Sequence, residues 1–132
     1  MLDFEKRLSA YVGKNENVLI EHMADLVRRP SISSSGEGVS ECCDFIIERM
    51  RQIGIDATRH EIEPYPIITG TLGNDPRKKT VFIYAHYDVQ PVGDRARWRT
   101  EPFEPTIIDG KMYGRGTADN KGPLSAHLCA VE

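Results

Sequence analysis

Val81-Phe82-Ile83-Tyr84-Ala85-His86-Tyr87-Asp88 is the stretch on which the fold turns. Up to Ala85 it carries no charge and is rich in β-branched and aromatic side chains. That is the composition of a strand covered on both faces, as parallel strands are inside an α/β sheet. The run ends in His86 and Asp88, and side chains two apart on a strand project to the same face. Both residues should therefore point into the space beyond the strand, at the carboxyl edge where open α/β sheets bind ligands. The fold class that follows is α/β, with this run as one strand of a mixed, largely parallel sheet flanked by helices.

Upstream, Phe4, Leu8, Tyr11 and Val12 form a helical stripe that Gly13 and Asn15 should break. Leu19, Met23 and Leu26 repeat the spacing, and Pro30 closes this second helix near Arg28. Ser34 and Glu37 have the spacing of a capping box for a third helix. In that helix Val39, Cys43, Ile46, Met50 and Ile53 make the apolar stripe and Gly54 the stop. Residues 55–63 alternate as a half-exposed strand near a sheet edge, interrupted by Pro64 and Pro66, and residues 67–72 form another short strand. His22, beside an apolar stripe, and His60, between Arg59 and Glu61, read as packing or surface histidines.

Downstream of Asp88 a long polar loop with Trp98 as an anchor leads to a hairpin, Thr106 to Ile108 and Lys111 to Tyr113, turning at Asp109-Gly110. A glycine-dense loop, residues 114–122, then delivers Asp119. From Pro123 onward Leu124, Leu128 and Val131 have helical spacing, with no terminating signal before Glu132.

The 132 residues, 39% hydrophobic and 28% charged, suit one soluble domain or part of one. A net charge of −3 with scattered Lys and Arg argues against a nucleic-acid partner. No run is long and apolar enough for a membrane span and no signal-peptide pattern opens the chain, so the expected location is cytoplasmic. Cys42, Cys43 and Cys129 offer neither a metal pair nor an even disulfide set, which fits buried reduced thiols.

His86 with Asp88 matches a metal ligand and its orienting partner: one ring nitrogen binds the ion while a carboxylate accepts a hydrogen bond from the other. An ordinary polar strand end is the competing reading. Asp119 could bring a second carboxylate to the same crevice, because the glycines around it allow close backbone approach. Nucleotide binding by that loop is disfavoured, since Gly114-x-Gly116 lacks the third glycine of a dinucleotide fingerprint and follows a hairpin rather than a buried strand.

Three blocks in one order resemble the zinc-dependent exopeptidase family. They are Tyr84-Ala-His-Tyr-Asp-Val-Gln-Pro-Val92, then Trp98 ahead of Pro102-Phe-Glu-Pro-Thr106, then Asp109-Gly-Lys-Met-Tyr-Gly-Arg-Gly-Thr-Ala-Asp-Asn-Lys-Gly-Pro123. That family includes acetylornithine deacetylase, succinyl-diaminopimelate desuccinylase, aminoacylase, carboxypeptidase G and the carnosinase-type dipeptidases, and the wording here is most like the dipeptidase branch. The likeness runs from the helix before Pro30-Ser-Ile-Ser33 to Glu132. It implies that His86 ligates one metal, that Asp88 orients His86 as a member of the catalytic set, and that Asp119 bridges two ions. The peptide after the bridging aspartate is implied to be cis. The ions would be zinc, with cobalt or manganese possible. About 3.5 to 4 Å apart, such a pair polarises a scissile carbonyl and acidifies a shared water.

The implied reaction is hydrolysis of the amide bond of dipeptides or N-acyl amino acids, by a protein that forms a homodimer. One departure stands out: the family's general base is the first of two adjacent glutamates, and no Glu-Glu pair occurs here. Residues 1–132 are accordingly expected to be the amino-terminal portion of the catalytic domain. The base, the remaining ligands and a lid domain would lie beyond them, and the fragment alone would be inactive. The alternative is a non-catalytic binding or assembly module formed by a truncated chain.

Overall fold

The computed structural model describes residues 2–132, with side chains from Asp3 onward. In chain order the elements are α1 (Leu2–Val27), α2 (Val39–Gln52), β1 (Asp56–His60), β2 (Ile67–Thr71), β3 (Thr106–Ile108), β4 (Lys111–Tyr113) and α3 (Lys121–Val131). A 3-10 turn occupies Arg95–Arg97 in the long loop. None of the helices is long and apolar enough to cross a membrane.

The core forms where α2 meets β1 and α3. Cys43 and Ile47 of α2 pack with Ile55, Ala57 and Leu128, while Cys42 and Ile46 face Leu26 at the end of α1. The stripe read from the sequence is thus the face that α2 buries, and the chain leaves the helix at Gly54, whose φ of 84° suits a residue without Cβ. Its start differs from expectation. Gly38 with φ 68° caps α2 without a side-chain bond, and Ser35 rather than Ser34 meets Glu37, its exposed Oγ accepting from the Glu37 amide at 3.3 Å. A Cβ on Gly38 would lie 2.3 Å from the Pro30 carbonyl oxygen, so the close approach selects glycine there. All three cysteines are free; Cys42 and Cys43 are buried as expected, whereas Cys129 is half-buried.

The two helices expected before Pro30 are one. A glycine inside a helix costs only about 1 kcal/mol, and the ladder runs through Gly13 while Asn15 turns its amide back onto the Tyr11 carbonyl at 2.8 Å. Only the far end of α1 is buried: Ala24, Leu26 and Val27 are in the core, whereas Phe4 is 67% exposed. Likewise α3 starts at Lys121 rather than Pro123. Pro123 falls in the first turn, where the missing N–H has no intrahelical partner to lose.

β1 and β2 pair antiparallel with Asp56 opposite Thr71 and His60 opposite Ile67, and β3 and β4 make the expected hairpin around Asp109 and Gly110, both at positive φ. The α/β class holds. Parallel pairing among the described residues, however, is confined to one bridge, Ile32 with Val89. Residues 81–88 make no ladder, and Val81 and Phe82 are 79% and 88% exposed instead of covered. A buried parallel strand needs hydrogen-bonding neighbours at its sides, and both sheets among the described residues are two-stranded antiparallel pairs built elsewhere.

Replacing Ile47 with alanine should remove core volume that α2, β1 and α3 share. The expected loss is about 2–5 kcal/mol, read as a lower denaturant midpoint with an unchanged slope.

Candidate metal centre

Three hydrogen bonds fix the backbone that carries His86. Fully buried Ser31 donates its hydroxyl to the Tyr87 carbonyl at 2.6 Å. The Val89 amide donates to the Ser31 carbonyl at 2.8 Å, and the Ser33 amide to the Val89 carbonyl at 3.1 Å. These contacts hold the chain against the segment just after α1, with Ile32 and Val89 buried at the bridge.

From this mount the His86 ring lies between two carboxylates. Its Nδ1 is 3.1 Å from both the Asp88 carbonyl oxygen and Asp88 Oδ1. Its Nε2 is 2.9 Å from Asp119 Oδ1. The two acids therefore occupy opposite edges of the ring. Asp88 and its carbonyl accept from Nδ1–H, which selects the tautomer that leaves Nε2 free to face a cation beside Asp119.

Asp119 arrives on a tight turn. The Lys121 amide donates to the Gly116 carbonyl at 2.9 Å, and Gly116 holds φ 92° with no room for a Cβ, which would lie 2.9 Å from Val89 Cγ1. Gly122 is equally constrained, its absent Cβ falling 2.1 Å from the Thr117 carbonyl oxygen. The Asp119–Asn120 peptide is cis. Farther out, Arg115 donates to the Pro91 carbonyl at 3.0 Å and stacks over Trp98, 4.9 Å from the ring centroid, while the indole N–H donates to the Val92 carbonyl at 2.8 Å. The aromatic anchor of the long loop thus backs the same turn.

An imidazole nitrogen and a carboxylate oxygen are a donor pair that suits zinc, manganese or cobalt. Their 2.9 Å separation is near the roughly 3.3 Å between neighbouring corners of a tetrahedral zinc site with bonds of about 2.0–2.1 Å. Asp119 is 82% exposed and His86 38%, so the donors face outward, accessible to further ligands. A different triad, His22, Cys129 and Glu132, has donor atoms within 4.8 Å of one another. Arg49 already fills it, its guanidinium donating to His22 Nδ1 at 3.1 Å and to Glu132. His22 is thus held by packing and an internal cation, and His60 Nε2 sits 2.7 Å from Thr69 Oγ1 across the β1/β2 ribbon, both as read from the sequence.

Two residues important to the site escaped sequence reasoning. Ser31 had a signal only in its place within Pro30-Ser-Ile-Ser33, and Lys121, completely buried, had none, because lysine is ordinarily solvated.

The chain is similar to known proteins of one peptidase family. A sequence profile described as peptidase family M20/M25/M40 matches residues 82–132. The Cys-Gly metallodipeptidase dug1 of Schizosaccharomyces pombe is 34% identical over 140 aligned residues, covering 96% of this chain and 29% of that protein. Among solved structures, the M20 family metallo-carboxypeptidase Sso-CP2 from Sulfolobus solfataricus matches with a TM-score of 0.80 at 36% identity, over 86% of this chain and 26% of its own. Human carnosine dipeptidase 1 matches with a TM-score of 0.85 at 30% identity, over 92% and 29%. The chain thus spans less than a third of the length of these relatives.

Burial of His86 disfavours its charged form, but the hydrogen bond to Asp119, the Asp88 carbonyl and the charges of both carboxylates outweigh it and hold the pKa above the ordinary 6.5. A raised folded-state value means that this contribution to stability is fully present below the unfolded pKa and is lost as pH rises through the folded one. In chelator-treated protein the His86 ring should therefore titrate above ordinary histidine by NMR, and Asp119→Asn should move its midpoint down.

Proposed function

We propose that the chain is part of a member of the peptidase family M20/M25/M40, whose profile matches residues 82–132, and that the intact protein is a metal-dependent dipeptidase. The observation that carries the reading is the His86 ring held by Asp88 at Nδ1 and facing Asp119 at Nε2. In this reading His86 and Asp119 would hold the metal, and Asp88 would keep the imidazole in the tautomer that metal binding requires. Zinc is the proposed metal, with cobalt or manganese as functional substitutes. When bound, the ions supply Lewis-acid polarisation of the scissile carbonyl and a lowered pKa for the attacking water.

The protein's own residues orient and exclude. Asp88 fixes the ring, the Ser31 and Ser33 bonds fix its backbone, and the 116–122 turn sets how far Asp119 reaches. Dipeptides are the proposed substrates, with N-acyl amino acids as the related class whose amide the same chemistry would cut.

A catalytic zinc normally takes three protein ligands, and residues 1–132 contain no Glu-Glu pair. The general base and remaining ligands are accordingly assigned to other parts of the intact protein, as are the lid domain and the homodimer contact. Residues 1–132 form the amino-terminal portion of the catalytic domain and are inactive alone. Free thiols at all three cysteines fit a reducing, cytoplasmic setting.

The test is the full-length gene product, stripped with a chelator and restored with zinc, cobalt or manganese before assay on a dipeptide panel. Metal should restore amino-acid release, and His86→Ala or Asp119→Ala should abolish it. Asp88→Asn should cost about 10- to 100-fold in metal affinity or rate. If the restored protein releases no amino acids and metal analysis finds none bound, the proposal is wrong.

A further inference from the structure

Lys121 is the largest fully buried side chain in the described structure, at 0% exposure. Lysine is almost never fully buried unless paired, yet Lys121 makes no salt bridge with an acidic side chain. Its Nζ donates instead to main-chain carbonyls, that of Leu26 at 3.1 Å and that of Arg29. Leu26 is in the last turn of α1 and Arg29 lies two residues past its end; the Leu26 carbonyl also accepts from the Arg29 amide at 3.2 Å, and the negative end of the helix dipole favours a cation there. An ammonium from 95 residues away thus closes a helix end that most proteins close with a local glycine or a nearby side chain.

The same residue also closes the turn that carries Asp119. Its amide donates to the Gly116 carbonyl at 2.9 Å. Its aliphatic stem packs on Gly116, where an added Cβ would lie 3.1 Å from Lys121 Cδ and 3.2 Å from Cγ. Backbone and side chain of one residue therefore tie the 116–122 turn to α1.

The other half of the site is tied to the same place. His86 is mounted through Tyr87 and Val89 on Ser31 and Ser33, the residues that follow Arg29 and Pro30. Residues 26–33 are in consequence the common frame for His86 and Asp119, which come from segments 33 residues apart and make no other direct bond to each other. We propose that Lys121 is a positioning residue. Through its ammonium on the Leu26 and Arg29 carbonyls it sets the position of Asp119 relative to His86, and so the geometry of the metal pair. The metal part of this inference rests on the function proposed above, while the tie between turn and helix stands on its own.

The experiment uses the intact protein with three substitutions. Lys121→Met keeps the stem and removes the donors. Lys121→Arg keeps charge and donors in a different shape. Ile47→Ala loosens the core away from the site. Two readouts separate positioning from general destabilisation: amide hydrogen exchange resolved to peptides, and titration with cobalt followed by its visible absorption. Lys121→Met should accelerate exchange in residues 116–122 together with residues 26–32. It should also weaken cobalt binding about 10- to 100-fold, the range for residues that orient metal ligands, with a changed spectrum. Ile47→Ala, with at least as large a loss of thermal stability, should leave the cobalt spectrum unchanged, and Lys121→Arg should recover part of the affinity.

Wild-type exchange and cobalt affinity in Lys121→Met would overturn the proposal. So would equal cobalt effects from Ile47→Ala, a Lys121→Arg variant no better than Lys121→Met, or failure of both Lys121 variants to give folded protein. If the wild-type protein takes up no cobalt, the metal reading fails, and the exchange pattern alone decides the tie between turn and helix.

Discussion

The short parallel bridge between Ile32 and Val89 is the constraint on which the rest of the site depends. Its flanking bonds join residues 56 apart in sequence, so closing them carries a loop-entropy cost that grows slowly with length. Burial of Ile32, Val89 and Ser31 offsets that cost, since each hydrogen bond adds only about 1 kcal/mol net while an unmade buried one costs more. With the bridge closed, His86 and Asp88 have one available direction. Without it the 81–88 backbone has no ladder partner among the described residues, and only side-chain contacts such as the Tyr87 hydroxyl on the Pro66 carbonyl at 2.7 Å would hold it.

Two carboxylates flank one imidazole, and position rather than chemistry divides their work. Asp88 is the near neighbour in sequence and reaches Nδ1 from the same strand direction, at modest conformational cost. Asp119 is exposed and brought in from a separate turn, so in water its attraction to His86 is weak, as for any exposed ion pair. What fixes Asp119 is the backbone of the turn, where glycines permit contacts that any larger residue would block. An outward-facing carboxylate on a rigid mount is suited to share its oxygens with groups from outside the segment.

How far this could be read beforehand depended on the range of the interactions involved. The α2 stripe and the Asp109-Gly110 hairpin were legible because helical and turn signals act within a few residues. The pairing of His86 with Asp88 followed from the two-residue period of an extended chain, and Asp119 from the glycines around it. The break expected at Gly13 did not occur because a local propensity of about 1 kcal/mol competes with a continuous hydrogen-bond ladder. The 81–88 run had strand composition but found a single bridge, since composition does not identify the neighbours a strand will meet. Lys121 was invisible for the same reason, as its partners are main-chain carbonyls that carry no side-chain signature. The likeness to known exopeptidases supplied what local rules do not, namely the cis peptide at Asp119–Asn120 and the grouping of distant blocks into one site.

The shape of α1 gives the molecule a graded anchor. Over its 26 residues the helix passes from side chains standing in solvent around Phe4 and Leu8 to the buried Leu26 and Val27. The outer turns rest on their own hydrogen-bond ladder with few buried side chains, while the inner turns carry α3, the Lys121 ammonium and the approach to Ser31. The frame that holds His86 and Asp119 is thus set by the buried end of the helix and the residues that follow it, not by its solvent-exposed length.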